Sequence, residues 1–435
     1  MSVYMIKGDA KINGEVSISG SKNSALPIIA ACILNAGTTT LYNVPNIKDT
    51  NGMFNILKDL GCIINKKGKK IVIDSSKINK FQIDEKLMSK MRSSVIIAGA
   101  LLGRFRKAVF SYPGGCEIGA RPIDLHINGF KKLGINIDES TGYIVCKCDK
   151  IVPSEIQLDF PSVGATENLI LASVFSDGET IIRNVAMEPE IVDLQNFLNK
   201  MGAKVSGAGS NVIKVVGVKR LKEISYTIMP DRIEAGTFLV YTAMTGGKIN
   251  LQNVNTEHIL PVISKLEEAG CKIFKEKNEI VLNAPKRLKA IDIQTFPYPG
   301  FPTDMQSIFL SMLSVARGTS VVTENIFENR FKCVPELIKM GAHISISGSS
   351  AIIKGTKRLI GKDVTATDLR GGAANAAPPL IGAALKAKGV ACINNCEFVE
   401  RGYENLEYKL KKLDVDIIKQ RGLRFETEEK KSSSE

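Results

Sequence analysis

One motif recurs six times along the chain, and it limits what the chain can fold into more than any other feature does. In its first copy, Leu57-Lys58-Asp59-Leu60-Gly61 runs into Cys62-Ile63-Ile64. The later copies are centred on Gly134, Gly202, Gly270, Gly341 and Asp414, each four residues after an apolar side chain (Phe130, Leu198, Leu266, Leu337 and Leu410). The steps between them are 73, 68, 68, 71 and 73 residues. Each copy reads as a helix end: an apolar residue packs the last turn, Gly takes the left-handed position after it, and an alternating strand follows. Asp tolerates that backbone better than most residues, so Asp414 fits the same role.

The rest of the unit repeats as well. Helices rich in small residues are expected near 24–34, 93–102, 165–175, 235–244, 306–315 and 376–387, most of them followed by a Gly-containing turn and a β-rich run, and then by a second helix that ends at the marker. The unit is therefore strand, helix, strand, helix, strand, strand. At about 70 residues it is longer than the usual solenoid repeat. A chain of 435 residues is also too long for one growing core. Six units then point to an α/β protein of two closed domains with three units each. The small residues imply that the first helix of each unit packs tightly inside.

The net charge of +13 admits a nucleic-acid binder, a protein for anionic small molecules, or a lysine-coated surface. No basic arm, base-stacking motif or Cys/His finger is present, which argues against nucleic acid. Nine cysteines and three dispersed histidines (His126, His258 and His343) give no paired metal-ligand spacing, so no metal site is expected and the thiols read as reduced. The start of the chain has no apolar signal core, and the longest apolar stretches fall short of a membrane span, so a cytoplasmic protein is expected. The polar tail, residues 421–435, is expected to lack fixed structure.

Three features carry chemistry. Pro113-Gly114-Gly115-Cys116 must be a loop, and a thiol there is either reactive or an ordinary small loop residue. Lys22, Arg92, Arg121, Arg232, Arg330, Arg370 and Arg401 recur at or beside the starts of the inner helices. Singly each reads as a surface charge, but together they suit a cleft for phosphates and carboxylates, which helix N-termini also favour. Asp304 and Asp368 each read either as a helix N-cap or as a carboxylate able to take a hydroxyl proton.

Set side by side, Gly20-Ser21-Lys22-Asn23-Ser24, Pro113-Gly114-Gly115-Cys116, Arg121-Pro122-Ile123-Asp124-Leu125-His126, Ser162-Val163-Gly164, Pro230-Asp231-Arg232, Phe301-Pro302-Thr303-Asp304, Glu328-Asn329-Arg330 and Arg401-Gly402-Tyr403 closely resemble the UDP-N-acetylglucosamine 1-carboxyvinyltransferase family of enolpyruvyl transferases. The resemblance runs from about residue 3 to residue 420. It implies two inside-out α/β domains of three βαβαββ repeats. Residues 1–20 and 230–420 would form one domain and residues 21–229 the other. It further implies that the enolpyruvyl group of phosphoenolpyruvate passes to the 3-hydroxyl of UDP-N-acetylglucosamine, with no cofactor or metal. These small molecules would be the partners, with no nucleic acid, no membrane and a monomer favoured.

Roles follow by position in the resemblance. Lys22, Arg121 and Arg401 match a clamp on phosphoenolpyruvate, with Asn23 beside them. Cys116 matches the thiol that protonates the enol carbon, and Asp304 the group that takes the sugar hydroxyl proton. Arg92, Arg121, Pro122, Ile123, Asp124, Leu125, Phe160, Ser162, Val163, Gly164 and Ile326 match nucleotide-sugar contacts. Arg330, Asp368 and Arg370 match supporting or closure residues. The chain departs from the family in three places. Glu400 stands where Asp usually precedes Arg-Gly-Tyr, Phe160 where some relatives have Lys, and Pro378-Pro379 fall in an expected helix, which must either start late or kink. A silent nucleotide-sugar-binding paralogue and an RNA-end cyclase built on the same repeat are the rival readings.

Overall fold

The computed structural model describes residues 2–89, 91–112, 123–140, 142–366 and 377–421. Each of the six markers ends a helix as its sequence dictates. Gly61, Gly134, Gly202, Gly270 and Gly341 have φ of 111°, 77°, 102°, 103° and 90°, and Asp414 has 61°. In all six copies the next residue donates its N–H to the carbonyl of the apolar residue five positions back, as in Cys62 to Leu57 at 2.9 Å and Val415 to Leu410 at 3.2 Å. This is the Schellman closure, which satisfies an orphan helix carbonyl and turns the chain into the next strand.

Every unit builds the same small sheet. Its first strand runs parallel to its second: Ile224–Thr227 beside Thr38–Tyr42, Glu155–Gln157 beside Glu179–Arg183, Asn13–Ser17 beside Lys248–Gln252, Ile293–Gln294 beside Thr319–Thr323, and Asp363–Thr365 beside Val390–Asn394. In the sixth sheet residues 81–83 play this part against Lys107–Phe110, with Val109 N–H donating to Phe81 O at 2.8 Å. A hairpin completes each sheet antiparallel, as in Ile63–Lys67 with Lys70–Asp74. The exception is the last sheet, where Ser2–Lys7 pairs between Val390–Asn394 and Ile417–Arg421. Arg421, expected to open the tail, is still part of that ladder; residues 422–435 lie outside the described residues.

The first helix of each unit is interior. Arg232–Thr245 is buried along its whole length, and nine of the ten residues of Lys22–Ala31 are buried. Small residues make this possible. A Cβ on Gly99 would lie 2.4 Å from the Asn168 carbonyl oxygen, so only Gly lets Ile96–Phe105 meet Val163–Ser173 so closely. Each fully buried Leu or Ile in these helices contributes about 1.5–3 kcal/mol. Gly99→Leu would force the two helices apart and lose that packing. Pro378 and Pro379 lie in the helix Ala377–Lys386; the residues before it, 367–376, lie outside the described residues. The carbonyls of Pro378 and Pro379 accept from Tyr241 Oη (2.8 Å) and Ser311 Oγ (2.7 Å) on neighbouring helices.

Two hydrophobic cores result. One is built from residues between 4 and 18 and between 233 and 417, the other from residues between 25 and 228. Two strands of chain pass between them side by side. Gly20 bridges to Pro230, Ser21 N–H donates to Met229 O (2.7 Å), and Asp231 N–H donates to Ser19 O (2.9 Å).

Candidate active site

The crossing strands end in two helix N-termini, and one carboxylate serves both. Asp231 accepts the N–H groups of Ile233 (2.8 Å) and Glu234 (3.0 Å) at the start of its own helix. Its other oxygen accepts the N–H of Lys22 (3.0 Å), the first residue of Lys22–Ala31 in the other core. Such capping satisfies orphan donors and is worth about 1 kcal/mol per helix. Here it also places Lys22 and Asn23 beside the second half of the molecule. Lys22, Asn23, Asp231, Gly402 and Tyr403 line one small cavity.

Asp304 lies within electrostatic reach of Lys22. Of its two readings, the N-cap is excluded: Pro302 is the cap residue, and Asp304 sits inside the first turn of Thr303–Leu313. Its carboxylate pairs with Arg330 at 2.9 Å, and Arg330 is only 2% exposed. Arg330 also donates to Thr303 O (3.3 Å) and lies 4.9 Å over the Phe327 ring. Burial pushes the Asp304 carboxyl up, but Arg330, Lys22 and Arg232 together outweigh burial and hold it below the usual carboxylate range. Arg232 in turn pairs with buried Glu190 at 3.0 Å.

The turn that carries Ile326 and Arg330 is shaped by Glu324. Its carboxylate accepts from Thr295 Oγ1 (2.9 Å), Thr303 Oγ1 (2.8 Å), Ile326 N–H (2.8 Å) and Phe327 N–H (3.1 Å), which ties the turn to the Asp304 helix. Ile326 is half-buried.

A second group of expected residues gathers around Asn168. Its Oδ1 accepts from Gly99 N–H (2.8 Å), which orients the amide. Nδ2 then donates to Val95 O (3.1 Å) and to His126 Nδ1 (2.7 Å). Three N-terminal segments are thereby held together. They are the turn Arg92–Val95, the helix Asp124–Lys132 with Ile123 just before it, and Val163–Ser173 capped by the Ser162 hydroxyl. Arg92, Leu125, Ser162, Val163 and Gly164 are partly exposed there, and Asp124 is exposed. Ile123 is buried at 4% exposure, and Phe160 stands 44% exposed just before the Ser162 cap.

Arg401 ends the short turn Cys396–Arg401 and pairs through Nε with Asp49 Oδ1 at 3.0 Å. Glu400, the departure noted above, bridges Lys48 at 2.9 Å and contacts Lys419. Cys116, Arg121, Pro122, Asp368 and Arg370 lie outside the described residues. Sequence reasoning missed Asp49, Asp231 as a double cap, Glu190 and Glu324. Asp231 had a findable signal, an Asp directly before an apolar helix; the others act across the fold and leave none.

Taken together, helix N-termini and the cations Lys22, Arg232 and Arg330 surround one ionised carboxylate, an arrangement suited to binding an anion beside a proton acceptor. The family model described as EPSP synthase (3-phosphoshikimate 1-carboxyvinyltransferase) matches residues 6–410. A protein of Caldanaerobacter subterraneus subsp. tengcongensis named UDP-N-acetylglucosamine 1-carboxyvinyltransferase 2 is 50% identical, with 96% of this chain and 100% of that one aligned. A Geobacter metallireducens protein named UDP-N-acetylglucosamine 1-carboxyvinyltransferase is 45% identical over 96% of this chain and 99% of its own. Among solved structures, the enolpyruvyl transferase NikO from Streptomyces tendae superposes with a TM-score of 0.85 at 21% identity, covering 96% of this chain and 98% of its own. EPSP synthase from Acinetobacter baumannii does so with a TM-score of 0.74 at 18% identity, covering 97% and 100%. At those identities the two structures speak for the fold, and the two close relatives for kinship: the chain belongs to the EPSP synthase family of enolpyruvyl transferases, among its UDP-N-acetylglucosamine 1-carboxyvinyltransferases.

Proposed function

We propose that the protein transfers the enolpyruvyl group of phosphoenolpyruvate to the 3-hydroxyl of UDP-N-acetylglucosamine and releases phosphate, the first committed step of peptidoglycan synthesis. The observation that carries this reading is the Asp304 carboxylate, ionised beside Lys22 and Arg330 at a helix N-terminus. Lys22, Arg121 and Arg401 hold the phosphate and carboxylate of phosphoenolpyruvate, with Asn23 beside them. Arg92, residues 121–125, Phe160, Ser162, Val163, Gly164 and Ile326 receive the nucleotide sugar, and Arg330, Asp368 and Arg370 support the closed site.

The Cys116 thiol gives its proton to C3 of the enol while the sugar oxygen bonds to C2 and its proton passes to Asp304. Loss of a C3 proton then expels phosphate from C2 and restores the enol. A carboxylate held at low pKa is a weak base. When the anionic substrate takes up the charge of Lys22, one of the cations holding Asp304 down is offset, so its basicity rises as the site fills.

The two cores act as two domains, residues 1–20 with 230–420 and residues 21–229, which close over the substrates and exclude water. Among the described residues no helix is long and apolar enough to cross a membrane.

The test is phosphate release from phosphoenolpyruvate and UDP-N-acetylglucosamine; folded protein that releases none sinks the reading. An epoxide such as fosfomycin reads the thiol directly. Six of the described cysteines are buried, and burial pushes Cys62, for example, up to about 12, so the adduct belongs on Cys116. Labelling elsewhere, with Cys116 unmodified, counts against its role.

A further inference from the structure

The contact between the two halves is charge-matched in an unusual way. Lys48 and Asp49 open the helix Lys48–Asp59 in one half, and Glu400 and Arg401 are adjacent residues of the other. They pair crosswise: Lys48 Nζ with Glu400 Oε2 at 2.9 Å, and Arg401 Nε with Asp49 Oδ1 at 3.0 Å. Two further bonds join the same segments, Asn46 N–H to Glu404 Oε1 (2.9 Å) and Lys48 Nζ to Glu397 O (3.1 Å).

The two ion pairs are not equivalent. Lys48 and Glu400 are 51% and 36% exposed, where an ion pair is worth little. Asp49 and Arg401 are 11% and 21% exposed, so theirs is screened far less. Asp49 is also in the first turn of its helix, where the N-terminal dipole favours its charge and the backbone fixes its position. It therefore acts as a rigid anchor for a flexible partner. A carboxylate on Nε fixes the rotation of the guanidinium plane, and that plane decides whether Arg can grip an oxyanion pair. The residues after Arg401, Gly402 and Tyr403, line the cavity that Lys22 and Asn23 share.

We propose that Asp49 is a positioning residue for the phosphoenolpyruvate clamp: it orients Arg401 from across the interface, so the clamp is complete only when the two halves meet. This rests on the reading of Arg401 as an anion-binding residue. Arg401 belongs to one half and Lys22 to the other, so the interface bond couples closure to recognition of the smaller substrate.

The experiment compares Asp49→Ala, Asp49→Asn and Lys48→Ala with the unaltered protein in steady-state kinetics. Asp49→Ala raises KM for phosphoenolpyruvate about 10- to 100-fold, the range a charge-assisted hydrogen bond supports. KM for UDP-N-acetylglucosamine stays within about twofold, because that substrate is held at the other group of helix N-termini. Asp49→Asn, which keeps an acceptor, recovers part of the loss, and Lys48→Ala changes little. An unchanged or lower KM for phosphoenolpyruvate in Asp49→Ala overturns the proposal, as does an equal rise for both substrates. Calorimetric titration with phosphoenolpyruvate reads the clamp without turnover. Protein that binds phosphoenolpyruvate yet releases no phosphate would reject the proposed reaction while still judging Asp49, and equal binding by Asp49→Ala and the unaltered protein would reject Asp49 alone.

Discussion

Arg330→Met separates the charge of Arg330 from its bulk. The guanidinium is 2% exposed and its partner Asp304 19%, so the carboxylate cannot turn to bulk water when the cation goes. Breaking such a pair from one side leaves a desolvated charge and costs about 3–5 kcal/mol. For a half-molecule of this size, that lowers the thermal midpoint by about 6–20 °C at pH 7. The pH dependence identifies the cause. Asp304 is held below its ordinary range, so in the unaltered protein its stabilising contribution is present above the unfolded value of about 3.9 and fades as pH falls through the lower folded value. Without Arg330 the balance moves towards burial, the folded value rises, and Asp304 takes a proton in mild acid. The gap between the two proteins should therefore narrow from pH 7 to pH 4.5. Arg330→Met combined with Asp304→Asn, which has no charge to strand, should regain most of the loss at pH 7. Differential scanning calorimetry of the four proteins of the cycle measures both effects. A gap that is the same at both pH values, with a double variant as unstable as the sum of the singles, would refute the reasoning.

Other outcomes follow from the same structure. Asp231→Ala removes the acceptor for the N–H groups of Lys22, Ile233 and Glu234, so it should lower stability by about 1–4 kcal/mol and speed hydrogen exchange at those three amides, which unchanged protection would contradict. Glu188 is pushed up to about 7 by burial. Its contribution to stability is full below the unfolded value near 4.3 and is lost as pH rises through 7. Glu188→Gln should therefore gain on the unaltered protein between pH 4.5 and pH 8, by at most about 3 kcal/mol; melting curves that stay parallel across that range would disprove it. Tyr241→Phe deletes the donor to Pro378 O and should lower stability by about 1 kcal/mol, read from the thermal midpoint, with no loss at all counting against that bond.

Local signals in this chain were readable because local geometry obeys them. A left-handed residue after an apolar helix end closes the same Schellman bond at Gly61 and at Asp414, so the six units and the α/β architecture were legible from spacing alone. The helices rich in small residues were legible for a similar reason, since their composition only makes sense inside. What was not legible lies between distant parts of the chain. Asp231 and Lys22 are 209 residues apart, and Asp49 and Arg401 are 352 apart; no periodicity links them. Asp304 kept two readings, N-cap or proton-accepting carboxylate, because Asp at a helix start serves as either; Pro302 begins the turn earlier and frees the carboxylate for Arg330. Pro378-Pro379 admitted a late start or a kink, and their packing was not legible either: Tyr241 and Ser311, which donate to their carbonyls, come from helices more than 60 residues away.

The pair of strands at Gly20 and Pro230 has a mechanical consequence. A single covalent tether lets two bodies swivel freely about it. Two tethers zipped together by Ser21 to Met229 and Asp231 to Ser19 form a strap, stiff against twisting and soft in bending. Motion of one half over the other is then reduced to a swing about one axis. On the proposed closure, such a hinge would bring Lys48 and Asp49 back to Glu400 and Arg401 as a door returns to its latch, without a search through orientations.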